Sequence, residues 1–318
     1  MPWVIRDVVR DINRASGRRW RGLDPLLPVP GDLAAGCSEP FQAKGRDGRP
    51  AGLAVCRHQT FPEDSLSQTW GTATRFVLTA RLRDRDTAPA FDDLLSQWRD
   101  HLNQMPQARQ DDTSALVTWP ARDVSGVRAL LGHGLQPMTV LAVRPAERPG
   151  PAPQAAAAVR HATRDDLHVI AAMEMGVIRY DEQFGGSVPR PRTEELVWAD
   201  TQIALAKQPD WIWLAERAGR PAGLLVIQPP ADATWVGTMT GLHPAAYLST
   251  LFVVPGERGT GTGAALVRQA HAQLDEHGIA VTLLHHSQVN PVSGPFWNRM
   301  GYRPLWTSWE VRPAAAIR

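Results

Sequence analysis

The chain has 318 residues, a net charge of +2, 43% apolar and 21% charged residues. That composition supplies a packed core and excludes a wholly disordered chain, and no run approaches the roughly 18 apolar residues a membrane helix requires. Two cysteines, Cys37 and Cys56, are too few for a disulfide framework and lack metal-ligand spacing, so they read as free thiols and no metal site is expected.

The first residues, MPWVIRDVVRDINR, place an Asp at position 7 and no apolar core segment, which argues against a signal peptide and for a cytoplasmic protein without a membrane partner. A β-rich run at 75–82 leads into Arg83-Asp84-Arg85-Asp86-Thr87-Ala88-Pro89. The helix after it carries Phe91, Leu94, Leu95, Trp98, Leu102 and Met105 on one stripe. A second β-rich run, 115–119, precedes Asp123. Gly134 stands eleven residues after Asp123, then Pro137 and Val143-Arg144-Pro145. Residues 144–154 hold four prolines and a glycine, a stiff extended linker. The boundaries drawn are 1–145, a linker at 146–155, and 156–318.

The second half opens with a strand at 156–162. Thr163 caps a helix to about 181, with Asp165 and Asp166 in its first turn. A Gly/Pro loop at 183–190 and a helix at 193–207 follow. Strands at 211–216 and 222–228 form a hairpin around Ala218-Gly219-Arg220. An insertion at 229–243 precedes strand 247–254, helix 263–277 and strand 280–285. Asn290 starts the last helix, and 302–311 is the last strand. The order is β-α-α-β-β-β-α-β-α-β.

Between the strand at 247–254 and its helix runs V-V-P-G-E-R-G-T-G-T-G, residues 253–263. Glycines at alternate positions strip side chains from a turn. Backbone N–H groups then face outward at a helix N-terminus, a place for phosphate. A Walker loop needs a Lys that is missing here, and the G-x-G-x-G spacing with no acidic residue about 20 positions on fails the dinucleotide fingerprint. Arg258, Gly261 and Gly263 resemble the acyl-CoA loop of the GCN5-related N-acetyltransferases, [QR]-x-x-G-x-[GA] after a strand and a Pro. Downstream, Asn290, Phe296, Gly301 and Tyr302 match that family's N-x-x-A-x-x-[FL]-Y-x-x-x-G-[FY].

The resemblance implies an α/β (α+β) fold in which two acetyltransferase-like domains each form a mixed, mostly antiparallel sheet flanked by helices. The two halves end alike: Asn290, Gly301, Pro304 and Val311-Arg312-Pro313 repeat the spacing of Asp123, Gly134, Pro137 and Val143-Arg144-Pro145. Residues 1–145 then read as a degenerate copy, since 83–89 lack glycine and carry two carboxylates where a pyrophosphate would sit. The cofactor implied is acetyl-CoA or another acyl-CoA. Arg258, Gly259, Thr260, Gly261, Thr262 and Gly263 would hold its pyrophosphate. Backbone groups of Phe252, Val253 and Val254 would pair with its pantetheine arm, the Val254 amide polarising the thioester. Asn290, Phe296 and Trp297 complete the cofactor site. The partner is a small-molecule amine acceptor, attacked directly in a ternary complex because no activated Cys is evident.

Two departures stand out. Trp297 replaces the family's acidic Tyr, and an indole N–H does not release a proton. Ser249 stands where a basic Glu is usual, and could order a water. His285 or His286 (adjacent strand residues on opposite faces), Ser287, Tyr302 and His243 are candidate substitutes. The acceptor pocket is expected between 178–191 and 229–243, with Glu174, Asp181 and Glu182 attracting a cation and Trp235, Trp306 and Trp309 as lining; Trp211 and Trp213 are expected in the core. Basic residues are scattered among acids, so no nucleic-acid partner is expected. A monomer or homodimer fits. The alternative is a non-catalytic acyl-CoA-binding sensor or scaffold.

Overall fold

A computed structural model describes residues 3–31, 33, 40–83, 87–146 and 157–318, with side chains from Asp7 onward. Cys37, Asp84, Arg85, Asp86 and nearly all of the 146–155 linker lie outside the described residues. The elements in chain order are α1 (Trp3–Leu23), β1 (Phe41–Lys44), β2 (Pro50–Thr60), β3 (Thr74–Leu82), α2 (Thr87–Asn103), β4 (Thr113–Pro120), α3 (Val124–Gly132) and β5 (Gln136–Pro145), then β6 (Ala158–His161), α4 (Leu167–Glu182), α5 (Thr193–Lys207), β7 (Ile212–Arg217), β8 (Arg220–Gln228), α6 (Thr234–Gly237), β9 (Ala245–Val253), α7 (Thr262–Glu276), β10 (Val281–Ser287), α8 (Ser293–Arg299) and β11 (Arg303–Val311). The helix α1 and the β1–β2 hairpin carry no motif and were not anticipated. The insertion at 229–243 holds the one-turn helix α6.

The chain divides into two compact units that are not contiguous in sequence. One comprises Met1–Pro62, Thr72–Leu141 and Pro304–Arg318; the other comprises Glu63–Gly71 and Ala142–Arg303. Each is a mixed, mostly antiparallel sheet flanked by helices. In the first unit the strand order is β1-β2-β3-β4-β11. The β3–β4 pair is parallel and the others are antiparallel. The chain's last strand therefore lies beside β4, from Trp306 opposite Pro120 to Val311 opposite Ala115, although its sequence follows the second half. The predicted stripe of α2 is core: Phe91, Leu94, Leu95, Trp98 and Leu102 are fully buried, with Met105 packed at the edge. Burying each such side chain contributes about 1.5–3 kcal/mol. Trp306 and Trp309, expected at the acceptor pocket, are instead buried in this unit, Trp306 edge-on to Trp20.

In the second unit the order is β6-β7-β8-β9-β10, antiparallel except for the parallel β9–β10 pair. Residues 224–227 of β8 are buried without alternation, as a strand covered on both faces must be. Trp213 is core, as expected, while Trp211 precedes β7 and stands edge-on to it. On α4, the Asp166 carboxylate accepts from both the amide and the hydroxyl of Thr163, a turn before the helix. Among the described residues no helix is long and apolar enough to cross a membrane, and no group of three or more His, Cys, Asp or Glu is placed to hold a metal.

Candidate functional site

The second unit's parallel pair is short. β9 and β10 pair only at Ala245–Val281, Ala246–Thr282 and Tyr247–Leu283. Beyond that point β9 stays bonded to β8 through Val253, so β10 parts from it. A bulge at Ser249 shifts the β8–β9 register and changes the parity of β9. Tyr247 and Phe252 consequently share a face despite lying five positions apart. A Cβ on Gly176 of α4 would meet the Phe252 ring at 2.7 Å, and one on Gly263 of α7 would meet Val253 at 3.3 Å. The two helices therefore cover opposite faces of β9.

Alternation also decides which backbone groups face the parting. The Val254 amide donates to the Ala222 carbonyl at 3.0 Å. In an antiparallel pair this turns every second residue, Val254, Phe252 and Thr250, toward β8. The groups turned the other way belong to Leu251 and Val253; Arg258 Nε donates to Val253 O at 3.2 Å. The expectation that Phe252 and the Val254 amide serve the cofactor through their backbone is thus corrected. The outward backbone is that of Leu251 and Val253, which only the ladder register reveals.

The glycine-rich loop ends in left-handed residues, Gly259 at φ 79° and Gly261 at φ 88°, the latter at the N-cap of α7. Thr260 Oγ donates to Glu257 O at 2.7 Å and shares a 2.8 Å bond with Thr262, so the hydroxyls brace the turn. Among the described residues no acceptor meets the amides of residues 259–264. A helix of 15 residues presents these donors with its positive dipole end, a cradle that fits a pyrophosphate. Arg258 lies over the Tyr180 ring at 4.6 Å. Phe296 is half-buried beside Gly263, and so at the cradle.

On the α4 face of the parting, Tyr247 OH and His285 Nδ1 are 3.0 Å apart. Trp235 of α6 stands edge-on to Tyr247 at 4.8 Å and parallel to His285 at 6.1 Å. Surrounding protein, with His286 adding like charge, pushes the His285 pKa down to about 4, although the residue keeps an exposed edge. The imidazole is neutral at neutral pH. Burial pushes Asp181 up to about 6. Burial raises the Tyr247 phenol first, and the Asp181 charge then adds to that rise.

Other sequence candidates fall elsewhere. Strand alternation turns His286 to the face opposite His285, against Gly294 of α8. Ser249 Oγ donates to Val226 O at 3.3 Å. Ser287 is buried at the end of β10, its Oγ without a partner among the described residues. His243 is exposed near Gly237. Tyr302 is corrected as a catalytic candidate: it is fully buried, its hydroxyl 3.1 Å from His271 Nε2. Burial raises its pKa. Trp297 is buried between Phe296 and Tyr302, edge-on to the latter at 5.3 Å. Asn290 Oδ1 accepts from the Val292 and Ser293 amides at 3.1 and 3.4 Å, so that oxygen starts α8. Glu174 faces α5, accepting from Thr201 Oγ at 2.8 Å, and Glu182 is exposed.

Residues 177–302 match the profile of the acetyltransferase (GNAT) family. Among solved structures, the chain is similar to a GCN5-related N-acetyltransferase from Sphaerobacter thermophilus, with a TM-score of 0.58 and 17% identity over 96% of this chain and 92% of that one. It is also similar to a GNAT-family acetyltransferase from Colwellia psychrerythraea, with a TM-score of 0.50 and 8% identity over 85% and 84% of the two chains. At these identities the likeness is one of fold. No curated protein matches the chain in sequence.

Proposed function

We propose that the chain, whose residues 177–302 match the acetyltransferase (GNAT) family model, transfers an acyl group from acetyl-CoA, or another acyl-CoA, to a small amine by direct attack in a ternary complex. The observation that carries this reading is the cradle of unmet amides from Gly259 to Ala264 beside a parting of parallel strands. When bound, the acyl-CoA supplies a thioester activated toward amines. The amides of 259–264 would bind its pyrophosphate, and the Leu251 backbone with the Val253 amide would orient its arm. Phe296 closes the side next to α7. His285, neutral and open to the α4 face, would accept the proton of the attacking amine at Nε2, in the tautomer whose Nδ1–H donates to the Tyr247 oxygen. Water serves as the acid, because a thiol with a pKa of ~8.5 leaves readily near neutral pH. We read residues 1–145 as the degenerate copy, and the boundaries at 146–155 remain part of this proposal.

The buried positions of Trp297 and Tyr302 favour a second reading, a sensor that binds acyl-CoA without turnover. One pair of variants tests what the two readings share. Gly259→Ala and Gly259→Asp incur the same left-handed backbone cost, with open space around the new Cβ. Calorimetry with acetyl-CoA should find one site per chain, weakened a few-fold by Ala and roughly 100-fold or more by Asp, since repulsion between two negative charges dominates the difference. Equal affinities in the two variants would remove the cradle. Turnover of any amine would then decide against the sensor.

A further inference from the structure

Trp235 is 49% exposed, unusual for so large an aromatic side chain. Its indole N–H is held by Gln228 Oε1 at 3.2 Å, and Tyr247 braces its edge. The ring is fixed with apolar surface in water, on the same side of the sheet as His285. Asp181, in the last turn of α4, lies near enough for its charge to act on the Tyr247 hydroxyl. Among the described residues no Lys or Arg pairs with its carboxylate and no donor reaches it. Arg258 is turned onto Tyr180 and the Val253 carbonyl instead. A half-buried carboxylate without a partner is costly, and the cost is relieved when a cation docks beside it. A fixed aromatic face supplies the second element of an ammonium site.

We propose that Trp235, Tyr247, His285 and Asp181 form the acceptor subsite, and that it selects a primary ammonium with a flat apolar body and no carboxylate of its own. The proposal rests on the acyltransferase reading and names its substrate class. The ammonium is drawn in by Asp181, the apolar body lies on Trp235, and His285 takes the proton that makes the amine nucleophilic. An α-amino acid is disfavoured because its carboxylate would face Asp181 without a compensating cation.

Calorimetry on the full chain, with and without saturating CoA, tests this with three probes: 2-phenylethylamine, 2-phenylethanol and L-phenylalanine. The amine should bind at least roughly tenfold more tightly than the other two. Asp181→Asn should lose about tenfold for the amine and leave the alcohol unchanged, and Trp235→Leu should weaken amine and alcohol alike. The subsite is overturned if the alcohol binds as well as the amine, if Asp181→Asn leaves amine affinity intact, or if the unaltered chain binds no amine. CoA affinity in the same samples separates the two levels. A chain that binds CoA but no amine sinks the subsite alone; one that binds no CoA sinks the acyltransferase reading itself.

Discussion

In the second unit β9 and β10 pair over three positions and then part; in the first, β3 and β4 pair over five, from Thr74–Thr113 to Leu78–Val117, and then part as well. Each parting is followed by a short helix and a left-handed glycine, Gly134 at φ 82° and Gly301 at φ 86°. The difference lies in what meets the exposed backbone. In the first unit α1 supplies side chains: Ser16 donates to Leu82 O at 2.8 Å, at the end of β3. Arg19 pairs with the buried Asp123, the counterpart of Asn290. In the second unit no acceptor among the described residues meets the amides of 259–264. Backbone groups freed by parting strands must be satisfied by something; one unit uses its own helix, and we propose that the other uses a ligand.

That contrast is most exposed at Arg19. Arg19→Ala removes the counter-ion of the Asp123 carboxylate, which is only 2% accessible and keeps just the Ser125 hydroxyl as a donor among the described residues, and should cost about 3 kcal/mol in urea unfolding. A loss below about 1 kcal/mol would mean that α1 is not anchored there and that the first parting is not filled in this way. On the other side, His285→Ala should lower kcat roughly 100-fold while leaving acetyl-CoA affinity unchanged. An unchanged kcat would move proton transfer away from the α4 face.

The smallest effect concerns Asp181. Its folded pKa of about 6 lies above the ordinary carboxylate value. The folded state therefore holds the extra proton between about pH 4 and pH 6, and stability falls as pH rises through that window. Asp181→Asn should gain on the order of 1 kcal/mol at pH 7.5 after solvent screening, and nothing below pH 4. Thermal melts at the two pH values check it. A gain in stability together with a loss of amine affinity marks a residue kept for binding.

Local pattern carried much of this molecule. The α2 stripe, the hairpin around Gly219, the glycine loop opening α7 and the Gly301 turn were legible because each depends on a few neighbouring residues and on the periods of helix and strand. Trp297 was legible as a departure from the family pattern, since an indole is not an acid wherever it lies. Tyr302 was not, because its hydroxyl is removed from the parting by His271, 31 positions away. The outward turn of the Leu251 backbone depends on ladder parity, set by a bulge at Ser249 that no local motif marks. His285 and His286 were equivalent candidates until the Tyr247 hydroxyl singled out one of them. The place of the last strand, beside β4, was likewise hidden. A strand's sequence specifies its two faces, but its neighbour is selected by hydrogen bonds that any backbone can make, so pairing partners are decided only when the whole chain is folded.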